Sequence, residues 1–130
     1  MRTIKFRGVP VDEDCEWSMI TGSLLVDIFG NTIIYHPLNT NLGGFRAVPV
    51  NPETVGQFTG LTDKNGVEIY EGDILSTETL KHMQVGWNNR FSSFSLTHKD
   101  WAFSHWFGES CEPEQCLVVG NIFENPELLQ

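Results

Sequence analysis

Residues 57–75 read QFTGLTDKNGVEIYEGDIL, and the fold class turns on the polar centre of this stretch. Asp63-Lys64-Asn65-Gly66 lies between two short runs of strand-forming residues. A short carboxylate such as Asp63 accepts hydrogen bonds from backbone N–H groups just ahead of it, while Asn65 and Gly66 tolerate the left-handed backbone of a tight turn. The stretch therefore predicts a hairpin. Glu71-Gly72-Asp73 predicts a second turn into a strand beginning at Ile74-Leu75, with the Asp73 side chain capping the turn. A calcium loop of the EF-hand type needs its glycine at position 6. Gly66 stands at position 4 from Asp63, so the structural turn is the reading adopted.

Outward from this centre the same punctuation recurs. Ile4 and Phe6 alternate with Lys5 and Arg7, which predicts a half-buried strand with a basic outer face. Ser23 to Phe29 and Thr32 to His36 are apolar runs joined by Gly30-Asn31, a dipeptide suited to a tight hairpin turn. Residues 37–44 are rich in Pro, Asn and Gly and read as a loop, after which Phe45 to Val50 resumes a strand. Asn51-Pro52-Glu53 and Asn125-Pro126-Glu127 each predict a single helical turn, with Asn as cap and Pro at the first helical position. Val85 and Trp87, Phe94 and Leu96, and Trp101 and Phe103 keep a period of two, broken by Asn88-Asn89 and Lys99-Asp100. Leu117 to Phe123 is a last strand, with a bulge expected at Gly120. No amphipathic helical stripe extends over ten residues. About ten short strands in a chain of this size predict an all-β fold, a barrel or sandwich.

Composition limits the partners. The chain has 130 residues, 17 acidic and 8 basic, for a formal charge of −9. Nucleic-acid affinity rests on Lys and Arg neutralising phosphates, so direct nucleic-acid binding is disfavoured, and anionic membrane surfaces repel the chain. No apolar run reaches the 18 or so residues of a membrane span. The opening MRTIKFRGVP lacks a signal-peptide core, which predicts an intracellular protein. Cys15, Cys111 and Cys116 are then expected to be reduced thiols.

Three groups of residues bear chemistry. His98, Asp100, His105, Glu109, Cys111 and Cys116 are the best metal candidates, since imidazole and thiolate suit Zn²⁺ and His98 and Asp100 share one strand face. Cys15 could join them from afar. A hydrolase built on His98, His105, Cys111 and Cys116 is one alternative function, although H-E-x-x-H, G-x-S-x-G and the phosphate-binding glycine motifs are all absent. Buried thiols and surface histidines are the preferred reading, with no metal and no cofactor. Asp12-Glu13-Asp14 with Glu16 reads as a solvated acidic loop. Residues 91–107 hold Phe91, Phe94, Trp101, Phe103, Trp106 and Phe107. Only Arg90 and Lys99 lie nearby, so these rings read as core filling or as an apolar interface closed by self-association, not as a stacking platform for single strands.

Three blocks, IKFR at 4–7, VNPETVGQFTGLTDKNGVEIYEGDI at 50–74 and VVGNIFENPELL at 118–129, together resemble the YopX-like proteins of phages and prophages. The resemblance implies a single all-β domain over 1–130: N-terminal strands in 1–50, a small SH3-like barrel in 56–130, and one or two single-turn helices. It implies a phage or prophage gene acting in the cytoplasm of a bacterial host, and it carries over no catalytic residue. Gly60, Gly66 and Gly72 look like backbone-geometry positions, and Tyr70 and Ile74 like barrel core. With Asp63, Asn65, Asp73, Gly120, Asn125 and Pro126 they form the expected structural motif. The function expected is a non-catalytic accessory protein that binds another protein or itself. An acidic nucleic-acid mimic, or a nucleic-acid-handling module, is a further alternative.

Overall fold

The computed structural model describes residues 1–107 and 111–130. Among these residues the chain is all-β. Eleven strands run β1 (Phe6–Gly8), β2 (Ile20–Val26), β3 (Thr32–Pro37), β4 (Phe45–Pro49), β5 (Gly56–Thr62), β6 (Glu68–Tyr70), β7 (Asp73–Ser76), β8 (Met83–Asn88), β9 (Ser93–Thr97), β10 (His105–Trp106) and β11 (Leu117–Asn121). The helical content is three single 3-10 turns, Pro52–Thr54, Pro113–Gln115 and Pro126–Leu129. No helix among the described residues is long and apolar enough to cross a membrane. The chain divides into two compact units, Met1–Phe58 and Thr59–Gln130.

In the first unit the strands lie in the order β4-β3-β2-β1, with the start of β5 on the far side of β1. Ile20, Ile34, Val48 and Val50 form the buried centre, flanked by Phe6, Trp17, Leu24 and Val55. Gly8 packs closely against the core: a Cβ there would stand 3.1 Å from that of Val50, tighter than an ordinary contact. Phe6 and Gly8 therefore share the core face, and Arg7 takes the other. The basic outer face expected here is not what forms. Arg7 is buried and Ile4 is 59% exposed, because the ladder begins only at Phe6 and β1 is bonded on both edges. The residues opposite Arg7 are Thr21 and Gly56, small enough to leave space for a long side chain over the sheet.

Two local expectations in this unit also change. The β2–β3 connection is a five-residue loop, not a turn centred on Gly30-Asn31. Asp27 organises it: Oδ1 accepts the N–H groups of Phe29 (2.8 Å) and Asn31 (2.9 Å), and Oδ2 accepts the Asn31 side-chain amide (2.8 Å). Only Gly30 takes the left-handed backbone, at φ +83. The Asn51 side chain does not cap the turn that follows it. Its carbonyl does the work instead, accepting both the N–H (3.0 Å) and the hydroxyl (2.6 Å) of Thr54, whose oxygen accepts the Val9 N–H at 2.9 Å.

In the second unit the sheet order is β10-β9-β8-β7-β11, all antiparallel. Closure into the expected small barrel would require its first and last strands to pair. Among the described residues β10 and β11 remain edges, and two-residue β10 is too short to close the sheet. Ile69, Leu75, Met83, Val85, Leu96, Cys111 and Cys116 form the core, with Leu80, Trp101, Phe107 and Val118 against it. The expectation of reduced thiols fails for two of the three cysteines. The Pro113–Gln115 turn brings Cys111 and Cys116 side by side, and they form a disulfide, while Cys15 is free.

The Asp63 carboxylate binds this unit together. It is buried, and its oxygens accept three backbone N–H groups: Asn65 (2.8 Å), Val67 (2.9 Å) and, 55 residues away, Val118 (2.9 Å). Next to it the Lys64 N–H donates to the Cys116 carbonyl at 2.9 Å. Burial works to raise the carboxyl's pKa, but the bonds from Val118, Val67 and Asn65 outweigh it and hold it below its ordinary value of 3.8. Bonds to a charged group contribute about 1.5–3 kcal/mol each, and buried donors left without a partner add to the loss. Asp63→Ala should therefore lower unfolding free energy by about 3 kcal/mol in urea melts at pH 7. A lowered folded-state pKa means this contribution is complete above the unfolded value and vanishes as pH falls through the folded one. The stability gap between wild type and Asp63→Ala should close on acidification below about pH 4; a gap constant from pH 7 to 3 would show that the charge contributes nothing.

Candidate functional site

The aromatic residues of 91–107 separate into two sets. Trp101 and Phe107 turn inward and pack on the core of the second unit. Phe91, Phe103 and Trp106 turn outward, exposed by 55%, 82% and 52%. The register explains the division. On β10, His105 lies opposite Leu96 and Trp106 opposite Ser95, so Trp106 falls on the face away from buried Leu96. Phe94 lies opposite Trp87 on β8 and meets it edge-on, ring centroids 5.0 Å apart.

Two of the outward rings, Phe91 and Trp106, are held in place. Phe91 meets Trp106 edge-on at 5.8 Å, and the Arg90 guanidinium lies 5.4 Å from the Phe91 centroid. Asn88 fixes the β8–β9 turn beneath them: its Oδ1 accepts the N–H groups of Arg90 (2.9 Å) and Phe91 (3.2 Å), and its amide donates to the Ser104 hydroxyl (3.3 Å). Asn88, Arg90, Phe91, Phe103, Ser104 and Trp106 enclose a shallow cavity of about 330 Å³. Flat aromatic surface, one cation and the edge of a sheet suit the binding of an apolar surface with a polar rim. The sequence signals only a turn at Asn88-Asn89; its bridge to Ser104 depends on how β8, β9 and β10 pair.

The metal candidates are not gathered. His98 Nδ1 accepts the Asp100 N–H at 3.1 Å, and the Asp100 carboxylate is 3.8 Å from the same nitrogen. Trp101 stands between the rings of His98 (5.5 Å) and His105 (4.2 Å). Cys111 and Cys116 are bonded to each other and offer no thiolates, and Glu109 lies outside the described residues. Among the described residues no three His, Cys, Asp or Glu side chains converge on a point that could hold a metal. The acidic run holds itself locally, Asp12 Oδ1 accepting the Asp14 N–H (2.9 Å), while Glu16 pairs with Arg46 at 3.1 Å.

The residues of the central motif occupy turns and core. Gly60, Gly66 and Gly72 have φ of +86, +82 and +90. Tyr70 and Ile74 are buried, and the Asp73 carboxylate accepts the Tyr70 N–H at 2.8 Å. At Gly120 the β11–β7 register slips by a residue. A Cβ at that position would lie 2.6 Å from Asn125 Oδ1, which itself accepts the Asn121 N–H at 3.2 Å. Asn121, absent from the expected motif, accepts the N–H groups of Phe123 (3.0 Å) and Glu124 (2.9 Å). Pro126 opens the final 3-10 turn.

These turns are the part of the chain on which the family resemblance rested, and a family model described as YopX protein matches residues 12–130. The chain belongs to the YopX family. Among solved structures it is similar to the crystal structure of protein EF1440 from Enterococcus faecalis, with 25% identity, a TM-score of 0.62 and 100% of each chain covered. No curated protein matches the chain. The disulfide of this YopX-family chain can be tested by counting thiols. Unfolded without reductant, the protein should take up one equivalent of alkylating agent, at Cys15, and three after reduction. Three equivalents before reduction would contradict the Cys111–Cys116 bond.

Proposed function

We propose that this chain is a non-catalytic binding module of a phage or prophage, acting inside a bacterial cell by engaging a protein partner through Phe91, Phe103 and Trp106. The observation that carries this reading is the exposure of three large rings, two of which, Phe91 and Trp106, are nonetheless ordered by Asn88, Arg90 and each other. Solvent-exposed aromatics held rigid have little conformational freedom left to lose on binding, and aromatic and Arg side chains are the residue types that dominate binding energy at interfaces. A second copy is the less favoured occupant, because two chains each at −9 repel. An apolar patch on a neutral or basic protein, with an acidic group to meet Arg90, fits better.

The test is a comparison of capture. Immobilised wild type should retain a protein from bacterial lysate that the Phe103→Ala, Trp106→Ala double variant loses, with an affinity drop of about 30-fold or more. The variant's melting temperature should stay near that of wild type, since both side chains are exposed. Equal capture by the two proteins, or a concentration-dependent dimer broken by the same substitutions, would overturn the assignment of a separate partner.

A further inference from the structure

The opposite end of the β8–β9 pair carries a second site. At the Gln84–Thr97 rung a groove of about 550 Å³ opens, within the size range of small-ligand sites. We propose that it binds a small phosphorylated organic anion of mononucleotide size.

Charge is the first support. The chain has only 8 basic residues against 17 acidic ones, yet this groove is lined by Lys81, Lys99, His82 and His98, with Asp100 as its one side-chain carboxylate. Two ammonium groups and two imidazoles around one side-chain carboxylate give the groove a surplus of hydrogen-bond donors, which suits an anion rich in acceptor oxygens. A phosphate monoester is largely dianionic near pH 7 and offers three strong acceptor oxygens to these donors, one more than a carboxylate.

The donors are also arranged in advance. Lys81 Nζ donates to the Thr77 carbonyl at 2.8 Å, which steadies the ammonium and leaves protons for a ligand. The His98 side chain is only 10% exposed. Because its Nδ1 accepts the Asp100 N–H, the proton of the neutral ring sits on Nε2, a donor of fixed direction backed by Trp101. His82 has φ +60, one of two non-glycine residues with positive φ among the described residues, and its N–H is tied to the Ser76 hydroxyl at 3.0 Å. A left-handed backbone costs histidine free energy that glycine would not pay, and strain of this kind collects at functional sites. Gln84 and Thr97 supply a polar floor, and Leu128 and Leu129 an apolar wall for the organic body of the ligand.

The experiment is a nuclear magnetic resonance titration of the imidazole signals with AMP, inorganic phosphate and adenosine. AMP should shift the His82 and His98 rings at the same protein sites as phosphate and more tightly, and adenosine should shift neither. Lys81→Gln with Lys99→Gln should weaken AMP binding about tenfold or more, the loss of a charge-assisted contact, and Asp100→Asn should strengthen it. His82→Gly separates strain from binding: the melting temperature should rise by a few degrees while AMP affinity falls. No shift at about 10 mM AMP, where even millimolar binding would register, would overturn the proposal. So would undiminished binding by the double lysine variant with its melting temperature intact, or adenosine binding as well as AMP.

Discussion

A buried carboxylate with three backbone donors on it is the constraint on which the second unit depends. Asp63 joins two elements 55 residues apart in sequence, the 63–67 turn and the start of β11. Neither holds itself: a five-residue turn has little buried area of its own, and β11 has one partner strand. Joined, they fix where the chain returns after the Cys111–Cys116 loop. From there Asn121 and Asn125 clamp each other across the Gly120 bulge and set the direction of the final 3-10 turn. Leu128 and Leu129, the apolar wall of the groove, stand at the end of that sequence of bonds.

Both surfaces assigned to binding hang on the β8–β9 pair. Gln84 lies opposite Thr97 at one end and Asn88 opposite Ser93 at the other, about 14 Å apart along the strands. All four residues share the face away from Val85 and Leu96, whose burial fixes the register. A slip of one residue would turn that face inward and dismantle both surfaces together. Core packing on one side of these strands thus positions polar and aromatic chemistry on the other.

What could be read from the sequence was what neighbouring residues decide. The turns at 63–66 and 71–73 follow from the chemistry of Asp, Asn and Gly within a few residues, and the bulge at Gly120 follows from a glycine inside a strand. Readings failed where the deciding partner was elsewhere. Gly30-Asn31 suggested a two-residue turn because Asp27, which organises the loop, stands outside the dipeptide. Arg7 alternates as an outward residue should, yet β1 is flanked on both edges and buries it. Period two could not say whether Trp106 or Phe107 faces the core, since that depends on pairing with Ser95 and Leu96. The cysteine pair was hidden by an expectation about compartment, when a 3-10 turn had already set the two side chains together. The groove's basic groups fall in two runs, 81–82 and 98–99, and only the Gln84–Thr97 pairing makes them neighbours.

Amide hydrogen exchange at Val118 probes the Asp63 bond itself. The Val118 N–H has the Asp63 carboxylate as its acceptor, and β11 is a sheet edge. Exchange slowed by about a thousandfold or more relative to an open chain, an opening free energy near 4 kcal/mol, is the predicted result. Exchange at the rate of an unprotected loop amide, with Leu75 and Val85 still protected, would mean that the carboxylate does not tie the turn to β11.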